Sequence, residues 1–341
     1  MTDRLIAGVI GFGVAGEFFH SRFLATNPNY ELRGVVTTDA ARAERARALA
    51  PTVEVFASVD EMLKSGQFDL VVVASPPALH VEHATAALAH GAAVVVDKPF
   101  APTVADANRI VEAAVAHDRP LVVYQNRRWD RDFRTIQRML ADGALGTPHT
   151  FESRFERWKP QLDKNWKATT TVDAGGGILL DLGPHLVDQA VQLLGPVRRV
   201  AHARLRILHD GGAADDDAFL ELEHESGAVS RLSAGSLVGV TGPRFRLSGT
   251  KGTVVVEGLD QQEHALRVDG AMPSDPGFDH DTRVAQFGAG DERSTIALDP
   301  GSYQDFYDAV AAAVRGQGPV PVDPRDAVRT MEILEEARRL A

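Results

Sequence analysis

Through the first third of the chain, apolar residues fall in short solid runs, without alternation. Arg4–Ile10 contains LIAGVI, Glu31–Thr37 reads ELRGVVT, Asp69–Ala74 reads DLVVVA, Val94–Lys98 reads VVVDK and Pro120–Tyr124 reads PLVVY. Runs of this length, bounded by Gly, Pro or polar residues, are the pattern of strands buried on both faces. Between them the period changes to that of helices. Glu17–Thr26 places Phe18, Phe19, Phe23 and Leu24 at helical spacing, and Ala40–Leu49 follows an Asp39 that can cap it. Ser58-Val59-Asp60-Glu61 is a capping box. Ala78–His90 stops at Gly91, and Thr103 with Asp106 opens a helix to about His117. With Asp69–Ala74 taken as the fourth strand and Pro120–Tyr124 as the sixth, strands alternating with helices predict an α/β fold with a doubly wound parallel sheet.

After Tyr124 the pattern changes. Phe133, Ile136, Met139 and Leu140 mark an amphipathic helix closed at Gly143. Alternating segments follow at His149–Arg157, Arg198–Leu208, Ala218–Glu223, Val229–Ala234, Arg244–Ser248 and Thr253–Glu257. They predict a second, α+β domain built on a large, mostly antiparallel sheet with one wet face. Leu259–Pro300 is rich in Gly, Asp and Pro and reads as loop with one or two short strands. Ser302–Arg315 reads as a helix, and Asp323-Pro324 opens a last one over Arg325–Leu340. The expected division is a dinucleotide-binding domain over residues 1–123, a substrate and oligomerisation domain over 124–322, and a C-terminal helix over 323–341.

The candidate chemistry sits where these elements end. Gly11-Phe12-Gly13-Val14-Ala15-Gly16 joins the first strand to the first helix in the order of a dinucleotide fingerprint. Gly11 permits the tight turn, Gly13 lets backbone approach a pyrophosphate, and Gly16 permits close helix–strand packing. At the end of the second strand, where the adenosine ribose is read, stand Thr37, Thr38 and Asp39, with Arg42 a turn further on. Thr37 and Thr38 can donate to a ribose or a phosphate, and Asp39 can cap the next helix, so NAD and NADP both stay open. Ser75-Pro76 follows the fourth strand, with His80 early in the helix beyond it. VVVDKPF leaves Lys98 at the carboxyl end of a buried strand, which proline terminates. A lysine there either snorkels to solvent or has a partner or a task.

In the second domain, Gly183-Pro184 suggests a helix beginning near Gly183 and running to Leu194. Asp181, His185 and Asp188 share one helical face if Asp181 is the N-cap, setting a histidine between two carboxylates. No third ligand with metal spacing lies near, so no metal is expected.

Composition removes several function classes. The 341 residues are 44% hydrophobic and 24% charged, with net charge −11, which argues against nucleic acid as a partner. There is no cysteine, hence no disulfide framework and no thiolate nucleophile. The opening MTDRLIAGVIGFG has too short an apolar run for a signal peptide, and no stretch is long enough to cross a bilayer. A cytoplasmic enzyme or binding protein is expected, with no membrane partner.

GFGVAG, DKP and DLGPHLVD, in this order and spacing, resemble the Gfo/Idh/MocA family of NAD(P)-dependent oxidoreductases over essentially the whole chain. YQNRRWD at Tyr124–Asp130 and GSYQDFY at Gly301–Tyr307 look like its group of NADP-dependent scyllo-inositol dehydrogenases. The resemblance implies that Lys98, Asp181 and His185 are catalytic. It implies that Ser75, Pro76 and His80 lie on the cofactor side, with Asp97 in the place of a usual glutamate. It favours NADP, although Asp39 stands near where relatives often carry an arginine. It also implies a homodimer or homotetramer through the open face of the second-domain sheet.

The mechanism expected is reversible hydride transfer between nicotinamide and a secondary carbinol of a sugar or cyclic polyol. His185 acts as base, Lys98 stabilises the developing alkoxide, and Asp181 holds Lys98 or a substrate hydroxyl. Asn126, Arg127, Trp158, Trp166 and Tyr303 are candidate substrate contacts, and Asn126 and Asp97 also candidate cofactor contacts. The rivals are a non-enzymatic dinucleotide-binding regulator and an NAD-dependent glycosidase. Either way the expected site draws on both domains.

Overall fold

The computed structural model describes residues 4–162, 171, 175–278 and 280–341. The chain forms two compact units. One takes Met1–Asn126 with Gln261–His280 and Ser302–Val328, and the other takes Arg127–Asp260 with Asp281–Gly301 and Arg329–Ala341.

The first unit is built on a six-stranded sheet of β1 (Leu5–Ile10), β2 (Tyr30–Val36), β3 (Glu54–Phe56), β4 (Leu70–Val73), β5 (Ala93–Val96) and β6 (Leu121–Val123). Its order is β3-β2-β1-β4-β5-β6, and every pairing is parallel. LVVV in β4 and AVVV in β5 are buried at every position, as a sheet covered on both faces requires. Gly8 and Gly34 are register partners on β1 and β2. A Cβ at either would come within about 3.1 Å of Met62 and Phe68, so the two glycines make room for those side chains. The helices are α1 (Arg22–Thr26), α2 (Ala40–Leu49), α3 (Val59–Ser65), α4 (His80–Ala89) and α5 (Val104–Ala116). Asp39, Ser58 and Thr103 cap α2, α3 and α5 by accepting from backbone N–H groups three residues on.

Helices from the C-terminal half belong to this unit too. Arg22 donates to the carbonyls of Leu266, Gly270 and Ala271, around a short helix within the expected loop, Gln262–Arg267. Tyr303–Val314 brings Phe306 and Tyr307 against Tyr124, Phe23 and Tyr30. The chain leaves this unit after Asn126 and returns to it twice.

The second unit is a sheet of eight strands: β7 (Pro148–Glu156), β8 (Val197–Arg206), β9 (Asp217–His224), β10 (Val229–Gly235), β11 (Phe245–Gly249), β12 (Gly252–Val256), β13 (Val284–Ala289) and β14 (Glu292–Ala297). The order is β14-β13-β12-β11-β7-β10-β9-β8, antiparallel except where β10 runs parallel to β7. One face is apolar: Phe151, Phe155, Leu220, Leu222, Leu232, Phe245 and Leu247 share a buried core with Phe133, Ile136 and Leu186 from the helices Arg131–Ala141 and Ile178–Leu194. The opposite face alternates in sign. Arg231 pairs with its register neighbour Glu221 at 3.0 Å, and Arg199 with Glu223.

The helix over Ile178–Leu194 starts five residues earlier than Gly183 suggested, so Pro184 lies inside it and Asp181 in its first turn, not at the N-cap. The cap is supplied from elsewhere. Asp215 accepts from Leu179 N through its carboxylate at 2.8 Å and from Ile178 N through its carbonyl at 2.7 Å. Gly177 precedes the helix at φ +103°, where a Cβ would overlap the Asp215 carboxylate. With two donors satisfied in this way, the helix forms ahead of the proline.

Candidate active site

In an all-parallel sheet every strand ends on the same edge. That edge carries, in strand order, Thr37 and Thr38 after β2, Gly11–Gly16 after β1, Ser75 and Pro76 after β4, Asp97 and Lys98 after β5, and Tyr124–Asn126 after β6. Chain order reverses between β1 and β4, and that switch point is where such sheets bind ligands.

The turn after β1 has the shape of an anion cradle. Gly11 has φ +94°, and a Cβ there would lie 2.7 Å from the Ala74 carbonyl oxygen. A Cβ at Gly16 would collide with the Gly11 carbonyl. Gly13, by contrast, has open space where its Cβ would be, so its backbone can be approached from outside. Phe12 is buried at 1% exposure, while Val14 is half exposed. The following segment, Ala15–Ser21, is wound as a π-helix before α1 continues it. These residues fit a dinucleotide pyrophosphate: two glycines that admit no side chain, one left open, and a helix N-terminus.

The neighbouring strand ends are tightly organised. His80, expected on the cofactor side, is buried at 1% exposure and spans two carbonyl oxygens, Ser75 O at 2.8 Å and Phe100 O at 3.1 Å. Its ring joins the loops after β4 and β5. Burial pushes its imidazole pKa down, opposed by Asp97 and the carbonyls. His83 takes the Ser75 hydroxyl at 2.8 Å. Lys98 stands half-buried at the edge beyond β5. At the end of β2, Asp39 accepts from Arg42 N at 2.9 Å, so its carboxylate is the cap of α2, and Thr37 Oγ1 accepts from Asp39 N.

In the second unit, the helix over Ile178–Leu194 carries Asp181, His185 and Asp188. His185 is buried at 4% exposure with its ring 6.1 Å from that of Phe155. The guanidinium groups of Arg127 and Arg244 lie over the same Phe155 ring, at 4.9 and 3.9 Å. Gln189 fastens both: its Oε1 accepts from Arg244 at 2.8 Å and its Nε2 donates to the Arg127 carbonyl at 3.1 Å. Arg244 also donates to Ser153 at 2.6 Å. Burial lowers the Arg244 pKa from the usual guanidinium value, opposed first by Asp132. Asp188 is gripped by Arg128 through two parallel bonds of 2.5 and 2.9 Å.

The comparisons agree with this architecture. The model of the oxidoreductase family with an NAD-binding Rossmann fold (Gfo/Idh/MocA) matches residues 5–125, and that of the Gfo/Idh/MocA C-terminal domain matches residues 133–255. The chain belongs to the Gfo/Idh/MocA oxidoreductase family. The family's first domain is an NAD-binding Rossmann fold, and the turn at Gly11–Gly16 lies within the residues that its model matches. The uncharacterized oxidoreductase YdgJ of Escherichia coli is 35% identical over 98% of this chain and 96% of its own. The scyllo-inositol 2-dehydrogenase (NADP(+)) IolW of Bacillus subtilis is 29% identical over 98% of this chain and 93% of its own. A solved structure of a Yersinia pestis protein assigned as an oxidoreductase superposes with TM-score 0.92 at 32% identity, covering 99% of this chain and 95% of that one. The protein is an NAD(P)-dependent dehydrogenase by family, and no helix among its described residues is long and apolar enough to cross a membrane.

The candidate substrate contacts fare differently. Asn126 and Arg127 are buried at 5% and 6% exposure, at the end of β6. Trp158 is 60% exposed and bridges to Leu237 beside the sheet. Tyr303 is fully buried, its ring 6.2 Å from Phe23 and its backbone N–H on Gln262. Trp166 lies outside the described residues. Among the described residues no cluster of three metal-ligating side chains exists. Sequence reasoning missed Arg244, Gln189, Phe155 and Asp215. Their chemistry depends on pairings across dozens of residues, and no local signal marks them.

Proposed function

We propose that this protein moves a hydride reversibly between NAD(P) and a secondary alcohol or ketone of a sugar or cyclic polyol, an inositol-like ring above all. The observation that carries the reading is the shared carboxyl edge of β1, β4 and β5: the glycine cradle and Lys98 stand two strands apart on it. Two strand spacings are about 10 Å, a span within the reach of a dinucleotide held at its pyrophosphate. When bound, the dinucleotide supplies or accepts the hydride.

The protein's own residues supply the rest. His185 takes the hydroxyl proton in oxidation and returns it in reduction, as a general base and acid. Lys98 stabilises negative charge on the carbinol oxygen as the proton leaves. Asp181 holds a neighbouring substrate hydroxyl, and Asn126 and Arg127 read further hydroxyls. The buried Phe155–Arg244–Gln189 set fixes the wall against which His185 lies. Thr38 and the exposed Arg42 give the ribose end two donors, while Asp39 is committed to its cap. Together with the NADP(+) specificity named for IolW, this favours NADP. The active form in this reading is a homodimer or homotetramer, paired through the charged outer face of the eight-stranded sheet.

The test is a panel of scyllo-inositol, other cyclic polyols and sugars, each with NAD and with NADP, read by absorbance of the reduced dinucleotide. Growth of that absorbance with a cyclic polyol, and faster with NADP, is expected. A protein that binds dinucleotide yet shows no turnover with any member, in either direction, would refute the reading.

A further inference from the structure

Behind Lys98 lies a buried polar relay with no counterpart in the mechanism so far. Asp97 continues the β5 ladder, its N–H donating to Val73 O at 2.9 Å. Its side chain turns inward, where Oδ1 lies 3.6 Å from His20 Nε2. His20 comes from the π-wound segment and is completely buried. Its other ring nitrogen, Nδ1, is 2.5 Å from the hydroxyl of Tyr307, also completely buried. Tyr124 closes the pocket with its ring centroid 4.4 Å from that of His20. Tyr30 donates to the Tyr307 carbonyl at 2.5 Å and so anchors the backbone of the last member.

The partners fix the protons. At 3.6 Å the contact with Asp97 is longer than a hydrogen bond, and Nε2 has no hydrogen-bond partner among the described residues, but a bare nitrogen lone pair facing a carboxylate would be repelled, so the hydrogen is assigned to Nε2 of His20 on electrostatic grounds. In the neutral ring Nδ1 is then an acceptor, and Tyr307 O–H donates to it. Burial alone would push the Asp97 carboxyl up. His20, and after it the Lys98 ammonium and His80, hold it below the ordinary value near 3.8. Burying an imidazole, a phenol and a carboxylate inside an aromatic wall costs free energy unless their geometry is needed. The residue next along the chain from Asp97 is Lys98.

We propose that Tyr307 and His20 are positioning residues for Lys98: the Tyr307 hydroxyl selects the Nε2–H tautomer of His20, which holds Asp97 as a fixed anion beside the lysine. The proposal rests on the reading of Lys98 as the charge-stabilising group. Its role is to keep the ammonium aimed at the carbinol oxygen, so its loss affects the chemical step and not the binding of dinucleotide.

Tyr307→Phe removes one hydroxyl and no volume, and is the primary variant. Three quantities are read: kcat and KM for the polyol, the dinucleotide dissociation constant by protein fluorescence, and the imidazole nitrogen shifts of His20 by NMR on the free protein. Wild type is expected to show the Nε2–H tautomer. Tyr307→Phe is expected to mix the tautomers and lower kcat about tenfold, with polyol KM and dinucleotide binding within about twofold. If Tyr307→Phe folds poorly, His20→Gln, which keeps a donor toward Asp97, is expected to exceed His20→Leu in kcat by at least about fivefold. An Nδ1–H tautomer in wild type, unchanged kcat in Tyr307→Phe, or equal kcat in the two His20 variants overturns the proposal. Because the tautomer is read without turnover, an inactive wild type refutes the dehydrogenase reading and leaves the relay to be decided by NMR alone.

Discussion

Arg128 holds Asp188 by two parallel hydrogen bonds of 2.5 and 2.9 Å, and both side chains are nearly buried, at 11% and 3% exposure. The last acid of the DLGPHLVD stretch is therefore a clamp between the turn after β6 and the helix that carries Asp181 and His185. Removing one partner of such a pair leaves a buried charge unpaired, which costs about 3–5 kcal/mol. Asp188→Ala is expected to lower the free energy of unfolding by that amount in urea titration, and Asp188→Ala with Arg128→Met by clearly less. Equal losses in the single and double variants would mean that the clamp does not act as a pair.

A second expectation concerns the start of the same helix. Asp215 caps it across 36 residues of sequence, and Gly177 admits that carboxylate because it has no side chain. Asp215→Ala should cost about 1–2 kcal/mol, with turnover falling as the first turn, and Asp181 in it, frays. Gly177→Ala adds strain at φ +103° to an overlap with Asp215, and should be the more damaging of the two by thermal melting.

His209 gives a pH dependence with a definite sign. Its Nε2 faces the Lys159 carbonyl at 2.7 Å and its Nδ1 the Asp216 carboxylate at 2.6 Å, so both nitrogens must carry protons to satisfy the two acceptors. The bond to Lys159, then Asp216, raises the His209 pKa above 6.5, and Asp216 is held below 3.8 against its burial by the His209 and Leu208 backbone N–H groups and the His209 ring. The raised histidine contributes stability that is full below pH 6.5 and is lost as pH rises through its folded pKa. The lowered acid contributes stability present above pH 3.8 and lost as pH falls through its folded pKa. The stability difference between wild type and His209→Gln should thus be largest at about pH 5 and shrink by pH 8, as measured by denaturant titration. A difference that grows with pH would contradict the doubly protonated ring.

How much of this was legible in the chain follows from the range of each interaction. The parallel sheet was legible because solid valine runs are needed wherever both faces of a strand are covered, as in β4 and β5. The cradle was legible because Gly11, Gly13 and Gly16 act within one turn. The start of the helix at Ile178 was not, because its cap arrives from Asp215, and Gly183-Pro184 supplied a plausible start too late. The burial of Tyr303 was not legible, because a hydroxyl suggests a polar surface position, whereas the ring lies beside Phe23. His20 sits among phenylalanines in a segment that reads as an apolar helix face, and nothing local shows that it meets Asp97 across the sheet. The least explained residue of the sequence, Asp97, becomes intelligible only with that partner in view.

The central claim is that Lys98 and His185 serve one reaction. The direct measurement is kcat for Lys98→Met, His185→Ala and the double variant, on the polyol that gives turnover, with dinucleotide binding measured alongside. Each single variant is expected to lose about a thousandfold while binding dinucleotide as wild type does. The double variant is expected to be little worse than the poorer single one, because groups that act as a unit are not additive. Turnover within about tenfold of wild type in either single variant would contradict the account.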